Sequence, residues 1–148
     1  MKNTIILLTM LLFSGIGFAQ ESNNGKQLWA KSFLNEKAPE LTVETWISKK
    51  PDTEGKFVII DFWATWCGPC RKAIPELNEI AKEFSKDVVV IGISDEPVEK
   101  IKAMKEPVIE YYYGVDTKKT MDKILEIKGI PHVIIIDPKG IVRWEGFP

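Results

Sequence analysis

Cys67 and Cys70 are the two cysteines of this 148-residue chain, and Gly68 and Pro69 are all that separates them. A disulfide stabilises a fold mainly by closing a long loop in the unfolded chain. This pair would close almost none, so a structural staple explains it poorly. A redox couple explains it better, since a thiolate attacks a disulfide and a second thiol within reach resolves the product. Zinc wants four ligands, or three and a water; two Cys and the single His132 fall short of that set. Two inert core thiols are the other alternative, but glycine and proline between them are poor core filling. In the redox reading Cys67 attacks and Cys70 resolves, while Pro69 fixes one torsion of the spacer and removes an amide hydrogen.

Asp61 is the next group with chemistry in it. It interrupts the apolar run Phe57-Val58-Ile59-Ile60-Asp61-Phe62-Trp63, and burial there raises a carboxyl pKa. Such a group can take the proton of the resolving thiol. The alternative is a solvated carboxylate at the strand end. Trp66, beside Cys67, offers an apolar contact surface for a substrate chain, whereas Trp63 reads as core. Ile130-Pro131 precedes a strand and fits an ordinary trans strand start, since only about 5–6% of X–Pro bonds are cis and the residues alone do not distinguish the two. His132, on an alternating strand, reads as an outward-facing position flanking the site. Tyr111–Tyr113 reads as strand packing.

The elements that position these groups follow from periodicity. Residues 41–45 alternate and predict a short strand; 57–63 predict a strand buried on both faces. Apolar residues Ala73, Ile74, Leu77, Ile80, Ala81 and Phe84 share one side of a helix over 71–84, with Pro75 expected to kink it. That helix sets Cys67 at its start, where free amides and the helix dipole favour negative charge. Beyond it come a strand over 88–93, a helix over 98–105 opened by Pro97, a strand over 108–113 and a helix over 117–127. Gly129-Ile130-Pro131 interrupts, and 133–136 and 141–144 form a hairpin across Asp137-Pro138-Lys139-Gly140. Strands and helices in this alternation make an α/β fold with a mixed sheet.

At the N-terminus, Lys2, the apolar stretch 4–13 and the small residues Gly15, Gly17 and Ala19 predict a secretory signal peptide over 1–19. The stretch is shorter than the ~20 apolar residues of a membrane span, though retention as an anchor is the rival. Residues 20–37 read as a polar N-terminal leader and 38–148 as one domain. Removing Lys2 from 20 basic and 21 acidic residues leaves a net charge of about −2, which predicts no affinity for nucleic acid.

Several blocks together resemble the thioredoxin superfamily, in its exported TlpA/ResA-like branch. They are Ala38-Pro39, Asp61-Phe62-Trp63-Ala64-Thr65-Trp66-Cys67-Gly68-Pro69-Cys70, Pro75 and Gly129-Ile130-Pro131, spread over about three quarters of the chain. The resemblance implies a three-layer thioredoxin-like fold with helices on both faces of a mixed sheet and a helix–strand insertion between Pro97 and Tyr113. It implies that Cys67 attacks, Cys70 resolves, the buried Asp61 assists, and a cis Pro131 seats the substrate backbone. No cofactor is implied beyond the redox-active Cys67–Cys70 disulfide. Members act as monomeric reductases of other exported, periplasmic proteins, apocytochrome c among them, and are re-reduced by a membrane electron-donor protein.

Three departures qualify the match. Gly68-Pro69 is the spacer of thioredoxin, whereas the cytochrome-maturation members carry an acid there. The strand over 88–93 lacks the lysine that thioredoxins place near the buried acid. The chain ends at Gly146-Phe147-Pro148, where the family continues into a last helix, so the C-terminal helix is expected to be missing. Against the reductase stand a disulfide oxidase or isomerase, a peroxidase of the peroxiredoxin type, which needs a differently placed cysteine, and a non-redox binding module.

Overall fold

A computed structural model describes residues 28–148; the segment 1–19, expected to be a signal peptide, and the first part of the expected leader lie outside the described residues. The element order is β1 (Thr45–Trp46), β2 (Phe57–Phe62), α1 (Gly68–Glu83), β3 (Val88–Ser94), α2 (Val98–Ala103), β4 (Tyr112–Val115), α3 (Thr120–Leu125), β5 (His132–Ile136) and β6 (Val142–Gly146). The strands form one sheet in the order β1-β4-β3-β2-β5-β6. β2 runs parallel to β3, and β3 to β4, while β5, β6 and β1 join antiparallel. Parallel neighbours need a crossover, and the right-handed βαβ rule places α1 over one face of β2 and β3.

Strand alternation divides the core in two. Ile59, Trp63, Val90 and Val133 face α1 and α2, packing against Ile74, Leu77 and Ile101. Ile60, Phe62, Ile91 and Ile134 face α3, packing against Met121 and Leu125. The sheet is therefore covered by helices on both faces, the three-layer thioredoxin-like arrangement. α1 is continuous across Pro75.

Some elements differ from their expected bounds, each for a physical reason. The strand expected over 108–113 forms at Tyr112–Val115 instead. Residues 108–110 are held by α1: Asn78 donates Nδ2–H to the Val108 carbonyl (2.9 Å) and accepts from the Glu110 amide (2.8 Å). Gly114 belongs to the strand, pairing with Trp46 of β1, and the approach is close: a Cβ there would lie 2.6 Å from Val43 Cγ1 and 2.7 Å from the Thr45 carbonyl oxygen. The alternation over 41–45 reflects packing rather than a ladder, since Leu41 and Val43 lie on the α3 side of the core while β1 itself is Thr45–Trp46. α3 is shorter than 117–127 because Lys119 (φ 57°) and Glu126 (φ 49°) bound it in left-handed conformation.

Residues 28–37 form no helix and only an isolated bridge, Lys37 to Ile141, yet backbone bonds tie them down. Lys31 donates to the Leu125 carbonyl (2.7 Å), Asn35 to Val142 (2.8 Å), and the Val142 amide donates to Glu36 (2.9 Å). Phe33 packs on the α3 side of the core, and its amide donates to the Glu145 carboxylate (2.8 Å). β6 is the last element, and no helix follows it among the described residues.

Candidate active site

β2 delivers the chain to the site. After Phe62 the Trp63 amide still bonds to β3, at the Ile93 carbonyl (3.0 Å), and the Cys67 amide closes a turn on Ala64 (3.1 Å). Between them Thr65 is held from the side: its amide (2.6 Å) and hydroxyl (3.0 Å) both donate to the Glu96 carboxylate. Lys100 of α2 closes the group at 2.6 Å. Burial pushes the Glu96 carboxyl up, but Lys100 and the two Thr65 donors outweigh it and hold the group below the usual range. Sequence reasoning missed Glu96; no spacing relates it to Cys67, and only the fold brings β3's end beside this loop.

Cys67 is the N-cap of α1, with extended backbone (φ −82°, ψ 101°). Its Sγ accepts the Cys70 amide at 3.2 Å, and its carbonyl accepts the Arg71 amide at 3.0 Å. A helix begins with unpaired N–H groups, so this sulfur sits where negative charge is best stabilised. The first turn carries no acidic residue to oppose it. The two cysteines are joined as a disulfide across a Cα–Cα distance of 5.3 Å. Cys70 is fully buried, and Cys67 is only 3 % exposed. In the disulfide form both sulfurs are thus covered, Cys70 the more completely. Gly68 and Pro69 are exposed beside it.

Asp61 is fully buried, which excludes the solvated strand-end alternative. It lies between Ile59 and Trp63 on the α1 face and pairs in register with Gly92 of β3. Burial pushes its carboxyl up to about 7, and the Tyr111 hydroxyl that faces it pulls the other way. Neither carboxylate oxygen, nor the Tyr111 hydroxyl, meets hydrogen-bond geometry with any protein group. Burial first, then the Asp61 charge, raises the Tyr111 hydroxyl as well. Tyr111 was expected only to pack; its polar end was the missed feature. The absent lysine in β3 was the signal, because something else has to face the acid.

Trp66 is 69 % exposed and, with Gly129 and Ile130, lines a cleft of about 190 Å³ whose other wall includes Asp95 and Lys119. Those two pair at 2.6 Å. The Ile130–Pro131 bond is cis, and Pro131 is buried. β5 starts immediately after it, with His132 paired to Phe62 at the end of β2, so Pro131 and the cysteine loop share one end of the sheet. His132 does not face outward. It is buried on the α3 face and stacks on Phe62 (centroids 6.1 Å apart), because α3 covers that side of β5 as well. Desolvation lowers its pKa against a smaller opposing pull from Glu145. Among the described residues no group of three or more His, Cys, Asp or Glu side chains is arranged to hold a metal ion. Nor is any helix among them long and apolar enough to cross a membrane.

Three comparisons bear on this geometry. The AhpC/TSA family model matches residues 34–145. The thiol:disulfide interchange protein DsbE of Pseudomonas aeruginosa is 29% identical over 156 aligned positions, covering 98% of this chain and 84% of that protein. The thiol-disulfide oxidoreductase ResA of Bacillus subtilis is 26% identical over 111 residues, 71% of this chain and 62% of its own length. In structure, a candidate protein disulfide isomerase of Bacteroides thetaiotaomicron superposes with a TM-score of 0.72 at 30% identity, covering 81% of this chain and 82% of that one.

Proposed function

This chain belongs to the AhpC/TSA family and is a TlpA/ResA-like thiol–disulfide oxidoreductase of the thioredoxin superfamily, and on that footing we propose that it reduces disulfides in other exported proteins. The observation that carries the proposal is the Cys67 sulfur capping α1 while joined to Cys70. In the reduced protein the Cys67 thiolate attacks one sulfur of a substrate disulfide and forms a mixed disulfide, releasing the other sulfur as thiolate. Cys70 then gives its proton to Asp61 and attacks Cys67, freeing the second substrate sulfur. The substrate gains two electrons, and Cys67–Cys70 is left as the disulfide.

Trp66, Ile130 and Pro131 seat the substrate chain beside the sulfurs, the first two because they line one cleft. Gly68 and Pro69 are the exposed spacer over which it passes. Export through the 1–19 segment brings the protein to where structural disulfides form. A membrane protein that carries electrons outward restores the dithiol, and disulfide-containing exported chains such as apocytochrome c are the substrate class.

Insulin reduction by wild type, compared with Cys67→Ser, tests the catalytic claim; equal rates would leave a non-redox binding module. The reduction potential tests direction. A value near −270 mV fits a reductase, and one near −120 mV would make the chain a disulfide oxidase instead, both by comparison with known couples.

A further inference from the structure

The α1 face of the sheet encloses a polar cluster that the redox cycle above uses only in part. The Asp61 carboxylate, the Tyr111 hydroxyl and Trp63 Nε1 are all buried there, and none has a hydrogen-bond partner. Glycine makes room for them. Gly92 pairs with Asp61 in the parallel register of β2 and β3. A Cβ at Gly92 would lie 3.0 Å from Trp63 Nε1 and 3.1 Å from Tyr111 Cε2. Any side chain in this position would push both rings from the acid.

Buried polar groups in native folds are nearly always partnered, and an orphaned cluster calls for a functional account. One donor of the cluster, the Tyr111 hydroxyl, faces the carboxylate. When the carboxyl is protonated, the cluster is neutral and gains little from hydrogen bonding. When it ionises, the Tyr111 O–H becomes a charge-assisted donor to it, a stronger bond than a neutral one.

We propose that Tyr111 is the positioning residue for Asp61: its hydroxyl, admitted by the bare Cα of Gly92, donates to the ionised carboxylate and holds it ready to accept the Cys70 proton. In this role Tyr111 acts through Asp61 and not on the sulfurs. The proposal rests on the redox reading for its purpose, but not for its physics. The titratable groups facing Asp61 are Tyr111 before β4 and Cys67 and Cys70 on α1. The apolar side chains buried on this face come from β2, β3, β4, β5, α1 and α2, and Trp63 does not titrate. The buried polar groups at its cysteine end are Ser94 and the titratable Glu96, whose carboxylate is held by Thr65 and Lys100. His132 lies on the opposite face.

The test is Tyr111→Phe, which keeps the ring and removes the donor. Difference infrared spectroscopy of the oxidised full chain follows the carboxyl stretch across pH, with Asp61→Asn identifying the Asp61 band. Wild type should titrate near 7, and Tyr111→Phe about one unit higher, as expected for losing a hydrogen bond to the charged form. The pH profile of mixed-disulfide resolution should move by the same amount, while attack by Cys67 keeps its profile. An unchanged infrared titration, even with a lowered denaturant midpoint, would make Tyr111 core filling and overturn the proposal. A resolution profile that shifted in the Asp61→Asn background would overturn it too. The infrared titration needs no substrate, so failure of the insulin assay would sink the reductase reading and leave the role of Tyr111 intact.

Discussion

Cys67 and Cys70 differ by little in exposure but by much in electrostatic setting. The Cys67 sulfur is placed on the free amides of α1, while Cys70 lies one turn in with no exposed surface. In the reduced protein Cys67 should therefore react with a thiol alkylator near neutral pH far faster than Cys70. Mass spectrometry of singly labelled peptides checks this, and a faster Cys70 would exchange the two roles. Asp61 separates the two steps of the cycle. Asp61→Asn should leave the first attack intact and slow resolution by up to about 10²–10⁴-fold, the range of general-base help. Single-turnover decay of the mixed disulfide measures it; an unchanged rate would remove Asp61 from the reaction. Of these groups the sequence made Asp61 visible, since a lone acid in an apolar strand is conspicuous. Tyr111 was hidden because its partner lies fifty positions away, and only parallel pairing of β2 with β3 and of β3 with β4 brings the two together.

At the scale of elements, the strongest constraint outside the site is the close pairing of β1 with β4. A Cβ at Gly114 would overlap Val43 and the Thr45 carbonyl, the second a backbone atom with nowhere to go. Gly114→Ala should therefore cost about 1–3 kcal/mol, the range for overpacking a filled site. A fall in the denaturant midpoint at constant m-value would register it, and no change would mean that β1 is free to lift. The same close pairing explains why the strand over 112–115 was misplaced from periodicity. A glycine weakens a strand pattern, while Val108-Ile109 strengthens a false one; yet Val108 is 57 % exposed and its carbonyl is taken by Asn78. The long buried runs β2, β3 and β5 were legible because their residues are apolar on both faces, and both faces are covered. Short elements bounded by left-handed residues, such as α3 after Lys119, carry no such pattern. Lysine and glutamate are not residues that announce that conformation.

For the whole molecule, the buried acid and the partnered ones pull stability in opposite directions with pH. Asp61 has its folded pKa raised from 3.8 to about 7, so its contribution is fully present below the unfolded value and is lost as pH rises through 7. Glu96 and Asp137 have theirs lowered, Asp137 by the Ile141 amide and by Arg143, with burial opposing. Their contributions are present above the ordinary carboxylate range and are lost as pH falls through it. His132, whose folded pKa is lowered by desolvation, likewise contributes above its ordinary value and loses that as pH falls. The oxidised protein should therefore be most stable between the carboxylate range and neutrality and weaken toward pH 8. Asp61→Asn should flatten the alkaline limb alone. Thermal midpoints between pH 3 and 9 decide this, and a maximum at pH 8 would contradict it. The segment 33–38 carries one more consequence. It hydrogen-bonds the start of β6 and covers part of that border, while the opposite border is β1, only two residues long. An unoccupied border strand is a template on which any extended polypeptide can add itself. A protein that meets other chains while they are still unfolded would otherwise collect them along its flanks. A partly covered border on one side and a two-residue strand on the other leave little length for such pairing, which favours engagement at the cysteine end, where contact ends when the sulfurs part.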